Sequence, residues 1–316
     1  MRPLPRTAGL PRIALLLNKL DEERRVPPWS HSQCKVQPIA TKIDACGETT
    51  AIVAPPFIKI TDAVVKRQGK TLLSVDSFQL DEGENIAILG PNGAGKSTFV
   101  KLMTREMMPI YRDIPPVLFR GNPRATLIDL RRALGIVSSS MQSEISVHLP
   151  AIDIVAGGYT GTVGLPVTVS SEAADDARER AIAPMKMLGI YDLASRDVMT
   201  LSTGQARRVL IARALMHDPD ALIFDEPCTG LDPEGMFYVR RSMRILAQQR
   251  KSVVLVTHYP EDIIPEIDRL LLIRDGSVFA DGDKKQILTG EMMSKLFDIP
   301  VQINCTDEYY SLVASY

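Results

Sequence analysis

A glycine-rich loop constrains this 316-residue chain more than any other feature. Residues 90–98 read Gly-Pro-Asn-Gly-Ala-Gly-Lys-Ser-Thr and match the pattern G-x-x-x-x-G-K-[ST]. At average residue frequencies the pattern occurs by chance in roughly 1% of chains of this length. A short apolar run over residues 85–89 precedes the loop, and a stretch of helical character follows Lys96. The sequence therefore predicts a strand, a phosphate-binding loop and a helix in succession.

The residue types in this loop suit a phosphate. Glycines let the backbone curl so that several N–H groups point at phosphate oxygens, and the N-terminus of the following helix adds positive potential. The Lys96 side chain can reach the β- and γ-phosphates, and the Ser97 hydroxyl can hold Mg²⁺. We therefore predict a nucleotide site. Its candidate residues are Gly90, Pro91, Asn92, Gly93, Ala94, Gly95, Lys96, Ser97 and Thr98.

Two carboxylates end a second apolar run, which spans residues 221–224 and is predicted to be a buried strand. Asp225 and Glu226 follow it directly, and at the end of a strand both side chains can reach one site. Such a pair is more often the solvated start of a loop, but the phosphate loop upstream favours function. We predict that Asp225 orients the Mg²⁺ coordination sphere and that Glu226 is the general base or positions water.

The rest of the pattern alternates strands with helices, which implies an α/β fold with parallel strands. Residues 142–200 interrupt the alternation and are predicted to form an inserted, largely helical subdomain. Further strands are predicted at 58–65, 71–80 and 252–257, and helices at 174–188 and 236–249.

The first 56 residues differ from the remainder, because they contain eight prolines and no sustained apolar period. They are predicted to be a disordered N-terminal extension. A transit peptide would share their arginines but would need serines and an uninterrupted amphipathic helix. A start codon placed too early is the other alternative. Residues 57–290 are predicted to form the main domain and 291–316 a short C-terminal extension.

Composition excludes several classes of protein. Lys plus Arg number 37 against 38 Asp plus Glu, so no global basic field favours nucleic acid, and aromatic residues are only 5%. The longest apolar runs fall far below the ~18 residues that a membrane-spanning helix needs. The four cysteines are too scattered for a metal or redox pair and are typical of reduced cytosolic thiols: Cys34, Cys46, Cys228 and Cys305.

Residues 201–205 read Leu-Ser-Thr-Gly-Gln, and with this segment the chain resembles the ATP-binding cassette (ABC) ATPase family. The match is to the family's LSGGQ signature, with Thr203 at a position that often holds Gly or Ser. Residues 229–232 (Thr-Gly-Leu-Asp) resemble the D-loop, and residues 256–258 (Val-Thr-His) resemble the segment of the switch histidine. With the phosphate loop and the acidic pair, five motifs follow the family's order across residues 57–290.

The resemblance implies an ABC-type P-loop NTPase cassette, with a RecA-like parallel sheet core, an antiparallel β region and an inserted α-helical subdomain. It also implies that two cassettes pair head to tail. ATP then lies between the phosphate loop of one chain and Ser202, Gly204 and Gln205 of the other. By the same resemblance, His258 would contact the γ-phosphate and Asp232 would join the two sites across the dimer. The implied cofactors are ATP and Mg²⁺.

Two positions depart from the family's pattern. No aromatic residue that could stack on adenine lies between Phe57 and Phe78, although the guanidinium plane of Arg67 could do so. The family's Q-loop glutamine would fall near Ser139, where this chain has serine. The nearest glutamine is Gln142, which we predict to bind Mg²⁺ and to couple the site to a transport partner.

The leading functional prediction is the ATP-hydrolysing subunit of an ABC transporter, forming a homodimer with a second cassette and working with a separate permease. It would lie on the cytoplasmic face of the inner membrane. Residues 257–265 and 270–276 resemble molybdate-type cassettes, and residues 287–290 and 294–301 resemble iron-complex importers, which favours a metal oxyanion or an iron complex as cargo. No direct binding of nucleic acid is expected. The alternative is an ABC ATPase without a permease that acts on ribosomes or repair complexes.

Overall fold

The computed structural model describes residues 41–43, 49–51 and 54–314. The chain divides into two units, residues 1–54 and 55–316. In the first unit, strands β1 (Thr41–Ile43) and β2 (Thr49–Ala51) pair antiparallel. The other residues predicted to be a disordered extension lie outside the described residues, apart from 54–56. The division into residues 1–56, 57–290 and 291–316 therefore stays a prediction.

The second unit contains every strand and helix that the sequence predicts. Its strands are β3 (Ile58–Arg67), β4 (Lys70–Leu80), β5 (Ile86–Leu89), β6 (Val117–Phe119), β7 (Leu134–Ser138), β8 (Ala221–Asp225), β9 (Ser252–Thr257), β10 (Arg269–Arg274), β11 (Ser277–Asp283), β12 (Val301–Thr306) and β13 (Tyr309–Ala314). Its α-helices are α1 (Lys96–Met103), α2 (Leu127–Ala133), α3 (Ser139–Glu144), α4 (Ala151–Ala156), α5 (Ser171–Met187), α6 (Thr203–Ala214), α7 (Pro233–Gln248), α8 (Lys284–Ile287) and α9 (Gly290–Phe297).

A nine-stranded mixed sheet organises this unit, in the order β6-β3-β4-β11-β10-β5-β9-β8-β7. Five successive strands of this order run parallel to one another: β10, β5, β9, β8 and β7. At the other end β3 runs antiparallel to both β4 and β6, and β11 runs antiparallel to β10. The predicted α/β fold with a parallel core and an antiparallel β region is confirmed.

Burial explains why the central strands read as continuous apolar runs. β5 and β9 are buried along their whole length, as parallel strands covered on both faces must be. Successive side chains of β5 point to opposite faces, so Ala87 and Leu89 join one hydrophobic cluster while Ile86 and Ile88 join another. β3 instead alternates buried with exposed residues over most of its length.

Between residues 142 and 200 the structure has helices α4 and α5 and three short 3₁₀-helices, and their assignment to an inserted subdomain stays a prediction. The Ser170 side chain caps α5 by accepting a hydrogen bond from the N–H of Ala173. Ala177, Ala181 and Met185 recur every four residues and form the buried face of the helix. Among the residues that the structure describes, none of the helices combines the length and the apolar character needed to cross a bilayer.

The C-terminal segment is folded around α9 and a β-hairpin. β12 and β13 pair antiparallel from Val301 opposite Ala314 to Thr306 opposite Tyr309. The buried Met293 and Leu296 of α9 share a hydrophobic cluster with Val301. The sequence predicted an extension here but not this hairpin.

Candidate phosphate and carboxylate site

The phosphate loop joins β5 to α1, as predicted. Lys96 is only 5% exposed, and its Nζ donates hydrogen bonds to the carbonyl oxygens of Gly90 (2.7 Å) and Pro91 (3.1 Å). Burial lowers the pKa of Lys96, while the carboxylates of Glu226 and Asp225 oppose this change. The curled loop therefore holds a cation at its centre, where a phosphate can meet it.

Close packing fixes the shape of the loop. A Cβ on Gly90 would lie 2.1 Å from the carbonyl oxygen of Ile273, so only glycine fits there. Gly95 precedes α1 with φ 112°, in the region that favours glycine. The N–H of Gly276 donates to the carbonyl oxygen of Ala94 (2.9 Å), which ties the loop to the turn between β10 and β11.

The acidic pair lies at the carboxyl end of β8, beside a cleft of about 640 Å³. Ser97, Asp225, Glu226 and residues 138–140 all line this cleft. Burial and then the Glu226 carboxylate raise the pKa of Asp225, while Lys96 opposes this shift. The structure thus brings together two predicted Mg²⁺ ligands and the predicted base.

Glu226 and His258 are also in contact. Nδ1 of His258 lies 3.2 Å from Oε1 of Glu226, and a proton on Nδ1 makes the ring the donor. The Glu226 backbone is in the left-handed region, with φ 50°, and its N–H donates to the carbonyl oxygen of Val256 (2.8 Å). Such a backbone costs about 1–3 kcal/mol in a non-glycine residue and is frequent at active sites.

The signature residues form the start of α6. Ser202 Oγ accepts from the N–H of Gln205 (3.2 Å), and the N–H of Ser202 donates to Oε1 of Gln205 (3.1 Å). Ser202 and Thr203 are exposed, so this helix N-terminus faces outward. A Cβ on Gly204 would lie 2.7 Å from the Cα of Gly235, so α6 and α7 begin in direct contact.

Three predicted residues remain to be placed: Asp232, Gln142 and Arg67. Asp232 caps α7 by accepting a hydrogen bond from the N–H of Gly235 (2.8 Å). Gln142 belongs to α3, but its side chain lies outside the described residues, so its role stays a prediction. Arg67, the alternative partner for adenine, is exposed at the end of β3.

Sequence reasoning missed the buried polar residues around this site. Arg207 of α6 is 2% exposed, and its Nη1 donates to the carbonyl oxygen of Pro227 (3.0 Å). Asp262, also 2% exposed, lies in the loop that follows His258. Sequence offers little signal for either, because charged residues are usually exposed. The capping pair of Ser202 and Gln205 does carry a signal, which is their spacing of three.

The reactivity of Cys228 and Cys305 tests whether the Cys228 side chain is buried. Burial and then the carboxylate of Asp262 raise the pKa of Cys228 to about 12, whereas Cys305 is exposed. The thiolate is the reactive form, so at mildly alkaline pH iodoacetamide should modify Cys305 and spare Cys228 in the folded protein. Peptide mass mapping measures this, with protein unfolded in guanidinium chloride as the control. Rapid labelling of Cys228 without denaturant would contradict its burial.

Comparison with known proteins identifies the family. The ABC transporter family model matches residues 73–229. YlmA of Bacillus subtilis, an ABC transporter ATP-binding protein, is 34% identical over 249 residues, which are 78% of this chain and 93% of YlmA.

Solved structures agree with this match. A structure assigned as a metal-chelate type ABC transporter, in an inward-facing conformation, superposes with a TM-score of 0.66 at 25% identity, covering 83% of this chain and 98% of that one. CbiO1 of Clostridium perfringens, part of the CbiONQ transporter complex, gives 0.62 at 27% identity, covering 76% and 94%. The chain therefore belongs to the ABC transporter family, as an ATP-binding and ATP-hydrolysing cassette subunit.

Proposed function

We propose that this cassette is the motor of a transporter whose permease is a separate protein, and that two copies of the chain form its ATP sites. The observation that carries the proposal is the division of the site: Ser202 is not among the residues that line the cleft of Ser97, Asp225 and Glu226. Lys96, Glu226 and His258 lie at one end of the parallel strands, while Ser202 sits on an exposed helix N-terminus and bonds with Gln205. A site divided in this way is completed by a second copy of the chain.

The proposed hydrolytic roles are those that the family resemblance implies, and the contact between Glu226 and His258 supports them. Lys96 binds the β- and γ-phosphate oxygens. Glu226 takes a proton from the attacking water, the new bond forms to the γ-phosphorus, and the bond to the departing ADP oxygen breaks. His258 lies against Glu226 and contacts the same γ-phosphate. The products are ADP and inorganic phosphate.

Mg²⁺ is the proposed companion of ATP. The oxygens of Ser97 and Asp225, beside one cleft, are the hard donors that this ion prefers. Burial, and then the neighbouring Glu226 carboxylate, raise the pKa of Asp225, and a bound cation would oppose both effects. Bound at these residues, the ion would neutralise charge that develops on the phosphates. Gln142 is proposed as a further ligand.

In the proposed homodimer the two chains pair head to tail. The start of α6 supplies the Ser202 hydroxyl, the Gly204 N–H and Gln205 to the ATP on the partner's phosphate loop, since helix N-termini attract anions. Asp232 joins the two sites. The symmetry is twofold and gives two equivalent sites.

The proposed cargo is a metal oxyanion or an iron complex, and the proposed place is the cytoplasmic face of the membrane. The likeness to the structure assigned to the metal-chelate type supports this cargo class. A separate permease is supported by the likeness to CbiO1, which is part of a transporter complex.

An affinity pull-down tests the permease. The Glu226→Gln chain, loaded with ATP, is used as bait for detergent-solubilised membranes, and partners are identified by mass spectrometry. We expect a polytopic membrane protein in stoichiometric amount. The matched control bait carries Lys96→Ala as well, so that it cannot be locked by ATP. Recovery of ribosomal or repair proteins, or of the bait alone, would contradict the permease and favour the ABC ATPase without one.

A further inference from the structure

The loop that carries His258 is anchored to a buried carboxylate. The Thr257 hydroxyl donates to Oδ2 of Asp262 (2.8 Å), and the N–H of Tyr259 donates to the Thr257 hydroxyl oxygen (3.0 Å). Thr257 is 1% exposed and Asp262 2%. The Asp262 carboxylate therefore holds the Thr257 hydroxyl, and this hydroxyl in turn holds the N–H of Tyr259.

The second oxygen of Asp262 is bound as well. Nη2 of Arg240, on α7, donates to Oδ1 of Asp262 (2.8 Å). Burial alone would lower the pKa of Arg240, but the bond to Asp262 raises it above the ordinary value, so the guanidinium keeps its charge. With each oxygen held from a different direction, the carboxylate has one orientation.

The outer side of the same loop is held by other contacts. The ring of Tyr259 lies 3.9 Å, centroid to centroid, from the ring of His258. The N–H of Leu312, on β13, donates to Oε1 of Glu261 (2.7 Å). The loop is thus tied to α7 on one side and to the C-terminal hairpin on the other.

We propose that Asp262 is a positioning residue for ATP hydrolysis, which acts through Thr257 to hold His258 against Glu226. The inference rests on the proposed roles of Glu226 and His258. A buried ion pair adds little net stability compared with apolar packing, so stability alone is a weak reason for this arrangement. Its geometric consequence is the 3.2 Å contact between the imidazole and the Glu226 carboxylate.

The same carboxylate links the two halves of the proposed dimer site. Arg240 belongs to the helix that Asp232 caps, and Asp232 is the residue proposed to join the two ATP sites. α7 therefore carries both Asp232 and Arg240, the partner of the carboxylate that anchors the His258 loop.

Two substitutions of Thr257 test its hydrogen bond to Asp262 and leave both partners of the Arg240–Asp262 ion pair in place. Thr257→Val keeps the shape of the side chain but removes the hydroxyl, whereas Thr257→Ser keeps the hydroxyl. We expect kcat for ATP to fall on the order of tenfold in Thr257→Val, with the Kd for a non-hydrolysable ATP analogue within about twofold of the unsubstituted chain. Thr257→Ser should recover most of kcat.

A spectroscopic measurement separates this inference from the proposed function. In ¹⁵N-histidine-labelled protein, the ring signal of His258 is assigned by its loss in His258→Ala. We expect Thr257→Val to shift that signal and Thr257→Ser to leave it in place, whether or not the chain hydrolyses ATP. The double variant Thr257→Val with His258→Ala should turn over ATP no more slowly than His258→Ala alone.

Several results would overturn the inference. They are an unchanged kcat in Thr257→Val, a lower kcat with the His258 signal unmoved, or an equal further loss in the His258→Ala background. A chain without any ATPase activity would instead refute the proposed function, and the shift of the histidine signal would still report the contact.

Discussion

Glu226→Gln is expected to lower kcat for ATP hydrolysis by at least about 100-fold, because a general base contributes roughly 10²–10⁴-fold. The amide cannot take the proton of the attacking water. It has nearly the same size as the carboxylate, and its oxygen can still accept a hydrogen bond from Nδ1 of His258, so the fold and the affinity for ATP should be retained.

Phosphate release and calorimetric titration with ATP measure the two quantities separately. The matched control is Glu179→Gln, which makes the same chemical change at an exposed position on α5 and should leave both values unchanged. A kcat within tenfold of the unsubstituted chain would contradict the role of Glu226 as base.

Lys96→Ala is expected to weaken ATP binding on the order of 100-fold. The ammonium would lose charge-assisted hydrogen bonds to phosphate oxygens, each of which contributes about 1.5–3 kcal/mol. Because Lys96 is already held in the curled loop by the Gly90 and Pro91 carbonyls, little ordering of the side chain is needed when the nucleotide binds.

Fluorescence titration with a labelled ATP analogue gives the affinity. Lys96→Arg, which keeps the charge of the side chain but not its shape, serves as the comparison. It should bind the ATP analogue more tightly than Lys96→Ala does. Circular dichroism checks that each variant is folded. An affinity of Lys96→Ala equal to that of the unsubstituted chain would refute the phosphate-loop assignment.

The parts of the fold and site that the sequence predicts are those with a local signal. The apolar runs of β5, β8 and β9 predict buried strands, and the glycine spacing before Lys96 predicts the phosphate loop. Parallel strands then bring their carboxyl ends to one edge of the sheet. The meeting of the phosphate loop with Asp225 and Glu226 follows from that topology.

The rest depends on contacts between segments that are distant in the sequence. Nothing near Arg240 shows that it bonds with Asp262, twenty-two residues later. The C-terminal hairpin owes its position partly to the bond between Leu312 and Glu261, which joins residues 51 positions apart. Such contacts form because the fold packs distant segments together, and neither the hydrophobic periodicity nor the composition of the sequence predicts them.

The molar mass of the Glu226→Gln protein in solution, measured by light scattering with and without ATP, tests the central claim most directly. We predict a change from 34.8 kDa to twice that mass when ATP and Mg²⁺ are added, because two chains enclose the nucleotide between phosphate loop and signature. Adding Ser202→Arg to the same chain should prevent the change while ATP still binds. A mass that stays at one chain under saturating ATP would contradict the account.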